Sequence, residues 1–369
     1  MTSSETPLLM TPGPTRVPER VLRAGAQPMV HHRSRQFLAQ FGEMMRLLPP
    51  LFGTREPVLP VHTTGRGAME ATICNLASRA DEMVVCANGR FGELWARLAE
   101  TYGLVVHRVA TDWERDIDLG AVEGALDRYP GARFVAMTCT DTSTGVLNDV
   151  EGVARLARAR GALVLVDGVS AIGGVPFAFD EWGVDVALTA SQKCLMSAPG
   201  LSFVVLNDRA RALCLEARLP RSYWDFSEIR AHALKSTPDT VGTPPVQVIL
   251  QVAEALRAIH EEGLSNVFAR HEAMGESARA RVAALGLTVQ CQGFQRFAPT
   301  LTAVATPRGV TPESVRDALE ARGILVAEGL GPFASSGFRV GHMGDIRLAD
   351  LDRTFDELAA VLTAVAVGN

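Results

Sequence analysis

Short, almost uninterrupted apolar runs alternate with helical segments through the first two hundred residues of this chain. Strands that are apolar on both sides and separated by helices are typical of a mostly parallel sheet that is buried on both faces. The sequence therefore predicts an α/β fold built on such a sheet. The predicted strands are Val58–His62, Met83–Ala87, Val105–Val109, Phe134–Thr138, Leu163–Asp167, Val184–Thr189 and Leu201–Leu206.

The segments on either side of this sheet differ from it in composition. The N-terminal residues are rich in proline, which excludes a helix there. Two long helical segments, Pro245–Glu262 and Leu264–Leu285, precede a tail that alternates strand, helix, strand, strand and helix. With 369 residues, the chain is expected to form more than one domain. We expect an extended arm (1–16), a large domain (17–245) and a small C-terminal α/β domain that includes the long connecting helix (246–369).

Composition and charge exclude several classes of partner. The net charge of −5 and the pI of about 5.9 argue against nucleic acid or an anionic membrane. The six cysteines form no CxxC pair and lack metal-ligand spacing, so we expect free thiols and no metal site. The first residues lack the features of a signal peptide, and the apolar stretch 359–367 is too short to span a bilayer. We therefore expect a cytoplasmic protein.

Two ionisable residues lie at the ends of neighbouring predicted strands. Asp167 closes the run 162–166, and Lys193 follows the run 184–190 by three residues. Ligands of open α/β sheets bind beyond the carboxyl ends of the strands. Pyridoxal 5′-phosphate (PLP) needs such a pair, because a lysine amine holds its aldehyde as a Schiff base and a carboxylate keeps its pyridine nitrogen protonated. The alternatives are a helix-capping aspartate and a solvated lysine.

The scarcity of lysine favours the catalytic interpretation. Lys193 and Lys235 are the only lysines, because the chain takes nearly all of its positive charge from arginine. Lysine can be deprotonated by burial, whereas arginine cannot. Lys193 is therefore a candidate nucleophile.

Other segments supply the parts that a PLP site requires. The turn 63–70 (TTGRGAME) joins a strand to a helix, where backbone N–H groups, Thr64 and Arg66 would bind a phosphate. Phe91 follows a strand and would stack on a planar ring, and Thr142 would bind a ring hydroxyl. Each has a structural alternative: an ordinary βα turn, a core phenylalanine and a turn-stabilising threonine.

An arginine within an apolar run suggests an anion site in the C-terminal part. Arg339 lies in the run Gly337–Gly341, and a buried arginine needs an anion. A substrate carboxylate held by both nitrogens of the guanidinium is one interpretation. An ion pair with Asp345 is the other. His342 is expected to be structural.

Seven segments in order resemble the class V aminotransferases of PLP fold type I, and especially the alanine–glyoxylate and serine–glyoxylate (serine–pyruvate) aminotransferases. The resemblance covers nearly the full length. The segments are LLMTPGPT, TTGRGAMEA, ANGRFG, DTSTGV, LVLVDGVSAIGG, SQKCLMSAPG and FRVGHMG.

The resemblance implies roles for individual residues. Lys193 and Asp167 would be catalytic, Val169 would pack on the ring face opposite Phe91, and Arg339 and Gly13 would bind the substrate. The implied PLP-binding residues are Thr64, Gly65, Arg66, Phe91, Thr142, Asp167, Val169, Gln192, Lys193 and Thr243.

The resemblance also implies a homodimer with shared sites, because Thr243 corresponds to a phosphate contact from the second subunit. Some relatives carry a tyrosine three residues earlier, where this chain has Thr240. One contact across the subunits is therefore in doubt.

The implied activity is a ping-pong transamination through a Schiff base, from L-alanine or L-serine to a 2-oxo acid such as glyoxylate or pyruvate. Other donors known in the family are 2-aminoethylphosphonate and pyridoxamine. The segment His31–Arg35 would offer a phosphonate an anion site, or is simply a basic helix start. A PLP lyase or cysteine desulfurase is disfavoured because the stretch Glu328–Gly337 has no cysteine. A protein that kept the fold without activity is disfavoured by the complete set of site residues.

Overall fold

The computed structural model describes residues 6–367. Its strands are β1 (Leu8–Leu9), β2 (Leu59–Val61), β3 (Glu82–Ala87), β4 (Val105–Ala110), β5 (Ala132–Thr138), β6 (Thr140–Asp141), β7 (Val146–Leu147), β8 (Leu163–Asp167), β9 (Val186–Ala190), β10 (Ser202–Leu206), β11 (Thr288–Val289), β12 (Leu301–Ala305), β13 (Ile324–Leu325), β14 (Ala327–Glu328) and β15 (Gly337–Gly341).

The helices connect these strands and cover the sheets. They are α1 (Glu19–Gly25), α2 (Arg35–Leu47), α3 (Pro49–Phe52), α4 (Gly65–Leu76), α5 (Arg90–Thr101), α6 (Leu119–Arg128), α7 (Val150–Ala159), α8 (Phe179–Trp182), α9 (Asp208–Glu216), α10 (Phe226–Ala233), α11 (Val246–Glu262), α12 (Leu264–Ala284), α13 (Pro312–Glu320) and α14 (Leu348–Val367), with a 3₁₀ turn at Gly331–Phe333.

The large sheet has seven strands in the order β2-β10-β9-β8-β5-β3-β4. All neighbours are parallel except β10, which runs antiparallel to both β2 and β9. The predicted α/β fold with a mostly parallel sheet is therefore confirmed. The strand ends agree with the predicted ones to within two residues.

Side-chain caps explain where several helices begin. Asp118, Asp149 and Asn207 precede α6, α7 and α9 and accept a hydrogen bond from a backbone N–H in the first turn. Such caps satisfy donors that have no partner within the helix. These three side chains therefore fix the first residue of each helix.

The two largest hydrophobic clusters of the described residues lie in different parts of the molecule. The large cluster surrounds the seven-stranded sheet and includes the buried face of α11. The small cluster joins α12, α13, α14 and the four-stranded antiparallel sheet β11-β12-β15-β14. Leu8 and Met10 of the N-terminal arm are buried in this small cluster, and β1 pairs with β13. Side-chain packing therefore groups α11 with the large cluster and the N-terminal arm with the small one.

None of the helices formed by residues 6–367 combines the length and apolar character needed to cross a bilayer.

Candidate active site

A cavity of about 290 Å³ lies beyond the carboxyl end of β8, against the N-terminal arm. It brings together nine of the predicted site residues, whereas Thr142, Thr243 and Arg339 are not part of its wall. The lining residues are Gly13, Pro14, Thr64, Gly65, Arg66, Met69, Phe91, Leu94, Thr140, Asp167, Val169, Ser170, Gln192, Lys193 and Pro199.

Asp167 is buried at the end of β8, with β5 on one side and β9 on the other. Its Oδ1 accepts a hydrogen bond of 2.8 Å from Val169 N–H. Burial raises the pKa of Asp167 to about 7, against the lowering effect of this N–H group, and the charge of Asp141 adds to the increase. A carboxyl group in this setting is stabilised as a carboxylate by a positively charged partner.

Lys193 lies in the turn after β9, and its Nζ donates a hydrogen bond to Pro12 O. Burial lowers the pKa of Lys193 to about 8, and the positive charge of Arg339 lowers it further. A lysine with such a pKa is neutral in roughly one molecule in ten at pH 7, far more often than an ordinary lysine. The neutral amine is the nucleophilic form.

Two glycines leave room for these side chains. A Cβ at Gly65 would lie 2.7 Å from Val169 Cγ2. A Cβ at Gly13, whose φ is +124°, would overlap Lys193 Nζ. A larger residue at either position would fill the cavity or displace the lysine.

The phosphate end of the cavity is the beginning of α4. Thr64 is the N-cap residue of this helix of 12 residues, but its side chain makes no capping hydrogen bond. Thr64 and Arg66 are both exposed. The free N–H groups, the helix dipole and the Arg66 cation together suit an anion.

Two buried polar atoms around the cavity have no partner among the described residues: Gln192 Oε1 and Thr140 Oγ1. A buried polar atom without a partner costs free energy that a ligand can recover. Thr140 was not predicted from the sequence. It lies two residues before Thr142, which is buried and whose carbonyl accepts a hydrogen bond from Arg339.

Asp141 is a second residue that sequence reasoning missed. Its buried carboxylate accepts hydrogen bonds from Phe91 N–H (2.9 Å), Gly92 N–H (3.1 Å) and Ser143 N–H (3.0 Å). It thereby caps α5 from a distant turn and fixes Phe91 at the edge of the cavity. The Asp-x-Ser spacing, typical of a turn closed by an aspartate side chain, was the available signal.

Arg339 lies in β15 and is only 8% exposed. Its Nε donates to Glu328 O (2.7 Å) and its Nη1 to Thr142 O (3.0 Å). Asp345 pairs with Arg347 instead, which contradicts the structural alternative for Arg339. Burial lowers the pKa of Arg339 to about 10, so the side chain stays charged at neutral pH. Arg339 is a buried cation whose protein hydrogen bonds reach only carbonyl groups among residues 6–367.

Thr243 lines a separate cavity of about 240 Å³, together with Thr240, His62 and Tyr223. It is therefore not in the Lys193 cavity of its own chain.

Arg33 already has its counterion. Its Nη1 donates to Asp239 Oδ2 (2.7 Å) and its Nη2 to Thr240 O (2.7 Å), while Ser34 caps α2. The segment His31–Arg35 thus ties α2 to the loop at 239–240. This arrangement favours the helix-start interpretation over a free anion site.

The remaining candidate groups are buried and neutral. All six cysteines are free and buried. Burial raises the pKa of Cys194 to about 12, which keeps it a thiol. Burial lowers the pKa of His342 to about 3, and its Nε2 lies 2.9 Å from Thr302 Oγ1. Among residues 6–367, no group of three or more His, Cys, Asp or Glu side chains is placed to hold a metal ion.

Comparison with known proteins shows the family of the chain. The family model "Aminotransferase class-V" matches residues 8–347. The chain is 36% identical to the "Soluble hydrogenase, small subunit" of Synechococcus sp., over 98% of this chain and 94% of that protein. It is 35% identical to the "L-aspartate--glyoxylate aminotransferase" of Paracoccus denitrificans, over 93% of this chain and 88% of that protein.

A solved structure agrees in fold as well as in sequence. The alanine–glyoxylate aminotransferase of Nostoc sp. superimposes with a TM-score of 0.92 at 33% identity, over 98% of this chain and 96% of that one. This similarity confirms the fold-type-I architecture expected from the sequence. The match over nearly the whole length establishes that the chain belongs to the class V aminotransferases.

Proposed function

We propose that the cavity around Lys193 binds PLP and carries out transamination between a small amino acid and a 2-oxo acid. The observation that carries this proposal is the joint placement of Lys193 and Asp167 in one cavity, with the pKa of the lysine lowered to about 8. The family membership supports the same reaction class.

The residues present fit PLP on three grounds. The start of α4 offers donors to a phosphate, the cavity volume is suited to a single small ring, and the unpartnered Gln192 and Thr140 oxygens are available to a polar ligand. PLP, when bound, supplies an aldehyde and an electron-accepting ring. Thr64, Gly65, Arg66 and Gln192 would hold its phosphate end. Phe91 and Val169 would pack on its ring faces, and a threonine of the 140–142 turn would contact its ring hydroxyl.

The chain's own ionisable groups then have separate tasks. Asp167, as a carboxylate, would keep a ring nitrogen protonated, which in turn would lower the pKa of Asp167 from its ligand-free value near 7. Lys193, once its amine is free, would move a proton at the substrate α-carbon. Arg339 would hold the α-carboxylate, beside the Gly13 backbone, and so orient that carbon.

L-Alanine or L-serine is proposed as the donor and glyoxylate or pyruvate as the acceptor. The Nostoc relative is named for alanine and glyoxylate, and the Paracoccus relative for L-aspartate and glyoxylate. The name of the Synechococcus relative is not carried to this chain, because no feature of the cavity favours it. 2-Aminoethylphosphonate and pyridoxamine are alternative donors.

A homodimer is also proposed, in which Thr243 reaches the phosphate of the partner's cofactor. Support comes from the position of Thr243 outside its own Lys193 cavity. Tyr223 and Val241 beside it are 68% and 38% exposed, as expected for apolar residues that a second subunit covers.

A cytoplasmic location is proposed from the six free cysteines. The arm, large domain and small domain are proposed as the units of the chain, with α11 packed on the large one.

The experiment is a donor panel with purified, PLP-loaded protein. L-Alanine, L-serine, L-aspartate, 2-aminoethylphosphonate and pyridoxamine are each offered with glyoxylate or pyruvate, and the product amino acid is measured. Turnover with alanine or serine is the expected result. Turnover only with the phosphonate or pyridoxamine would change the donor, and no turnover with any pair would contradict the proposed function.

A further inference from the structure

We propose that the segment Thr11–Thr15, here called the strap, positions the Lys193 amine, and that Thr15 is the positioning residue that holds the strap in place. A role of the strap in catalysis rests on the proposed function. Its effect on the position and solvation of the Lys193 amine does not depend on that function.

Met10, the residue that precedes the strap, is anchored in the small cluster. Met10 N–H donates to Leu325 O (2.8 Å), and Gly341 N–H donates to Met10 O (2.7 Å). The Met10 side chain is fully buried in that cluster. A Cβ at Gly341 would overlap the backbone of Thr11, so the strand β15 and the strap lie in direct contact.

The other end of the strap is fixed to the lysine segment. Thr15 N–H donates to Gln192 O (3.1 Å), and Thr15 Oγ1 donates to Lys193 O (3.1 Å). Thr15 is only 3% exposed. Two hydrogen bonds from one buried residue therefore fix two consecutive carbonyl groups, and with them the origin of the lysine side chain.

The strap also meets the end of the lysine side chain. Lys193 Nζ donates to Pro12 O and lies where a Cβ of Gly13 would be. Thr11 Oγ1 donates to Pro14 O (2.7 Å), which closes the strap into a tight loop. The lysine is thus held at its backbone and at its amine by the same five residues.

This arrangement explains the environment of the amine. Gly13 and Pro14 form part of the cavity wall, so the strap excludes water from one side of Lys193. Arg339 lies on β15, two residues before the Gly341 that binds Met10. The residue proposed to bind the substrate carboxylate and the strap that covers the lysine therefore rest on the same strand.

The test uses the fact that Lys193 and Lys235 are the only lysines. The full-length, cofactor-free protein is acylated with limiting acetic anhydride across a pH series, and mass spectrometry gives a labelling curve for each lysine. Thr15→Val keeps the side-chain shape and removes the hydroxyl donor, and Thr15→Ser restores that donor. Lys235 is the internal reference.

In Thr15→Val we expect the labelling midpoint of Lys193 to rise from about 8 toward the ordinary lysine value of 10.5, because water reaches the amine. A rise of about half a unit decreases labelling at neutral pH about threefold. Lys235 should not change, and Thr15→Ser should match the wild type. An unchanged Lys193 curve in a folded Thr15→Val protein would overturn the proposal.

Thr11→Val gives an independent test if Thr15→Val does not fold. It removes only the Thr11–Pro14 hydrogen bond, so a smaller shift in the same direction is expected. An unchanged Lys193 curve in that variant would then overturn the proposal. Failure of the proposed function would show separately, as a wild-type protein that turns over no donor.

Discussion

The two lysines of this chain lie in regions with opposite electrostatic organisation. Around Lys235, the Asp239 carboxylate is shared by Lys235 Nζ (2.9 Å), Arg33 and His232. Around Lys193, the amine donates to a carbonyl, and the nearby buried Arg339 likewise donates only to carbonyls among the described residues. The first region has its counterions within the protein. In the second, Lys193 and Arg339 donate only to carbonyl groups, although the Asp167 carboxyl group lines the cavity of Lys193, and cations that are not hydrogen-bonded to a carboxylate are suited to an anionic ligand.

The pKa values of Asp239 and Asp167, one in each region, differ in the same way. Burial acts to raise the pKa of Asp239, but hydrogen bonds from Lys235 and His232 prevail and lower it. Burial of Asp167 is not offset in this way, and its pKa is raised to about 7. A paired network of this kind stabilises structure, whereas unpaired groups are typical of functional sites.

Substitution of the two lysines by alanine should produce the largest difference in turnover between the two regions. We expect Lys193→Ala to decrease turnover at least about 10³-fold, because both the nucleophile and the proton carrier are lost. Lys235→Ala should leave turnover within about twofold, because an exposed ion pair contributes little. Initial rates with L-alanine and glyoxylate measure both. An equal decrease in turnover for the two variants would contradict the assignment of the Lys193 region as the catalytic one.

Replacement of the unpaired arginine should have the next largest effect. Arg339→Gln removes the cation proposed to hold the substrate carboxylate. Loss of one partner of a buried charge pair costs about 2–3 kcal/mol, or roughly 30- to 150-fold in kcat/KM. Arg347→Gln is the matched control, because that arginine pairs with Asp345 at the surface. A normal kcat/KM for Arg339→Gln would place the carboxylate site elsewhere.

The sequence predicted those parts of the site that lie at strand ends. Asp167 and Lys193 follow uninterrupted apolar runs, and the end of each run locates them without knowledge of tertiary contacts. Thr15 and Asp141 were missed because their partners are far away in the chain: Thr15 contacts Lys193 across 178 positions, and Asp141 contacts Phe91 across 50. Contacts of this range depend on how the elements pack.

The same limit applies to the fold. The large sheet was predicted because each strand is apolar on both faces. The helices α9 and α10 were not predicted, although Asn207 and Asp225 cap them, because both are short and most of their stability comes from packing on the large domain. The sequence of α11 is amphipathic but does not indicate against which cluster it packs.

Two buried histidines provide a further contrast with the paired His232. Burial lowers the pKa of His271 to about 4 and that of His342 to about 3. His271 Nδ1 lies 2.7 Å from Val267 O and its Nε2 accepts from Gly344 N–H, so its neutral form is required. The unfolded chain binds these protons near pH 6.5, whereas the folded chain does not. The stabilisation of the folded state by the two neutral histidines is therefore complete above pH 6.5, and it is lost as the pH falls toward 4 for His271 and toward 3 for His342.

From pH 7.5 to pH 6, we expect the two histidines to decrease the free energy of unfolding by roughly 1–2 kcal/mol. Urea unfolding at both pH values measures this change. Protonation of Asp167, whose pKa is raised to about 7, acts in the opposite direction over this interval but is common to the wild type and a histidine variant. His342→Gln should therefore remove about half of the histidine contribution, seen as the difference between the two proteins. An identical pH dependence in wild type and His342→Gln would contradict the neutral, buried state of His342.

The smallest effect on stability and turnover is expected around Asp239, where the charged groups already have partners. Arg33→Ala removes a half-exposed ion pair and should cost at most about 1 kcal/mol, with turnover of every donor preserved. Arg23→Ala, which breaks the exposed pair with Glu19, is the control for loss of a surface arginine. Kinetics with L-alanine and 2-aminoethylphosphonate are compared for both variants. A selective loss with the phosphonate would show that the His31–Arg35 segment binds an anion after all.

The central claim is that Lys193, and not Lys235, is the amine that takes the cofactor. The most direct measurement adds PLP to the full-length protein, reduces the mixture with borohydride and locates the modified lysine by mass spectrometry. We expect one pyridoxyl group per chain on Lys193, with Lys235 unmodified and no specific label in Lys193→Ala. Modification of Lys235 instead, or no stable modification of either lysine, would contradict it.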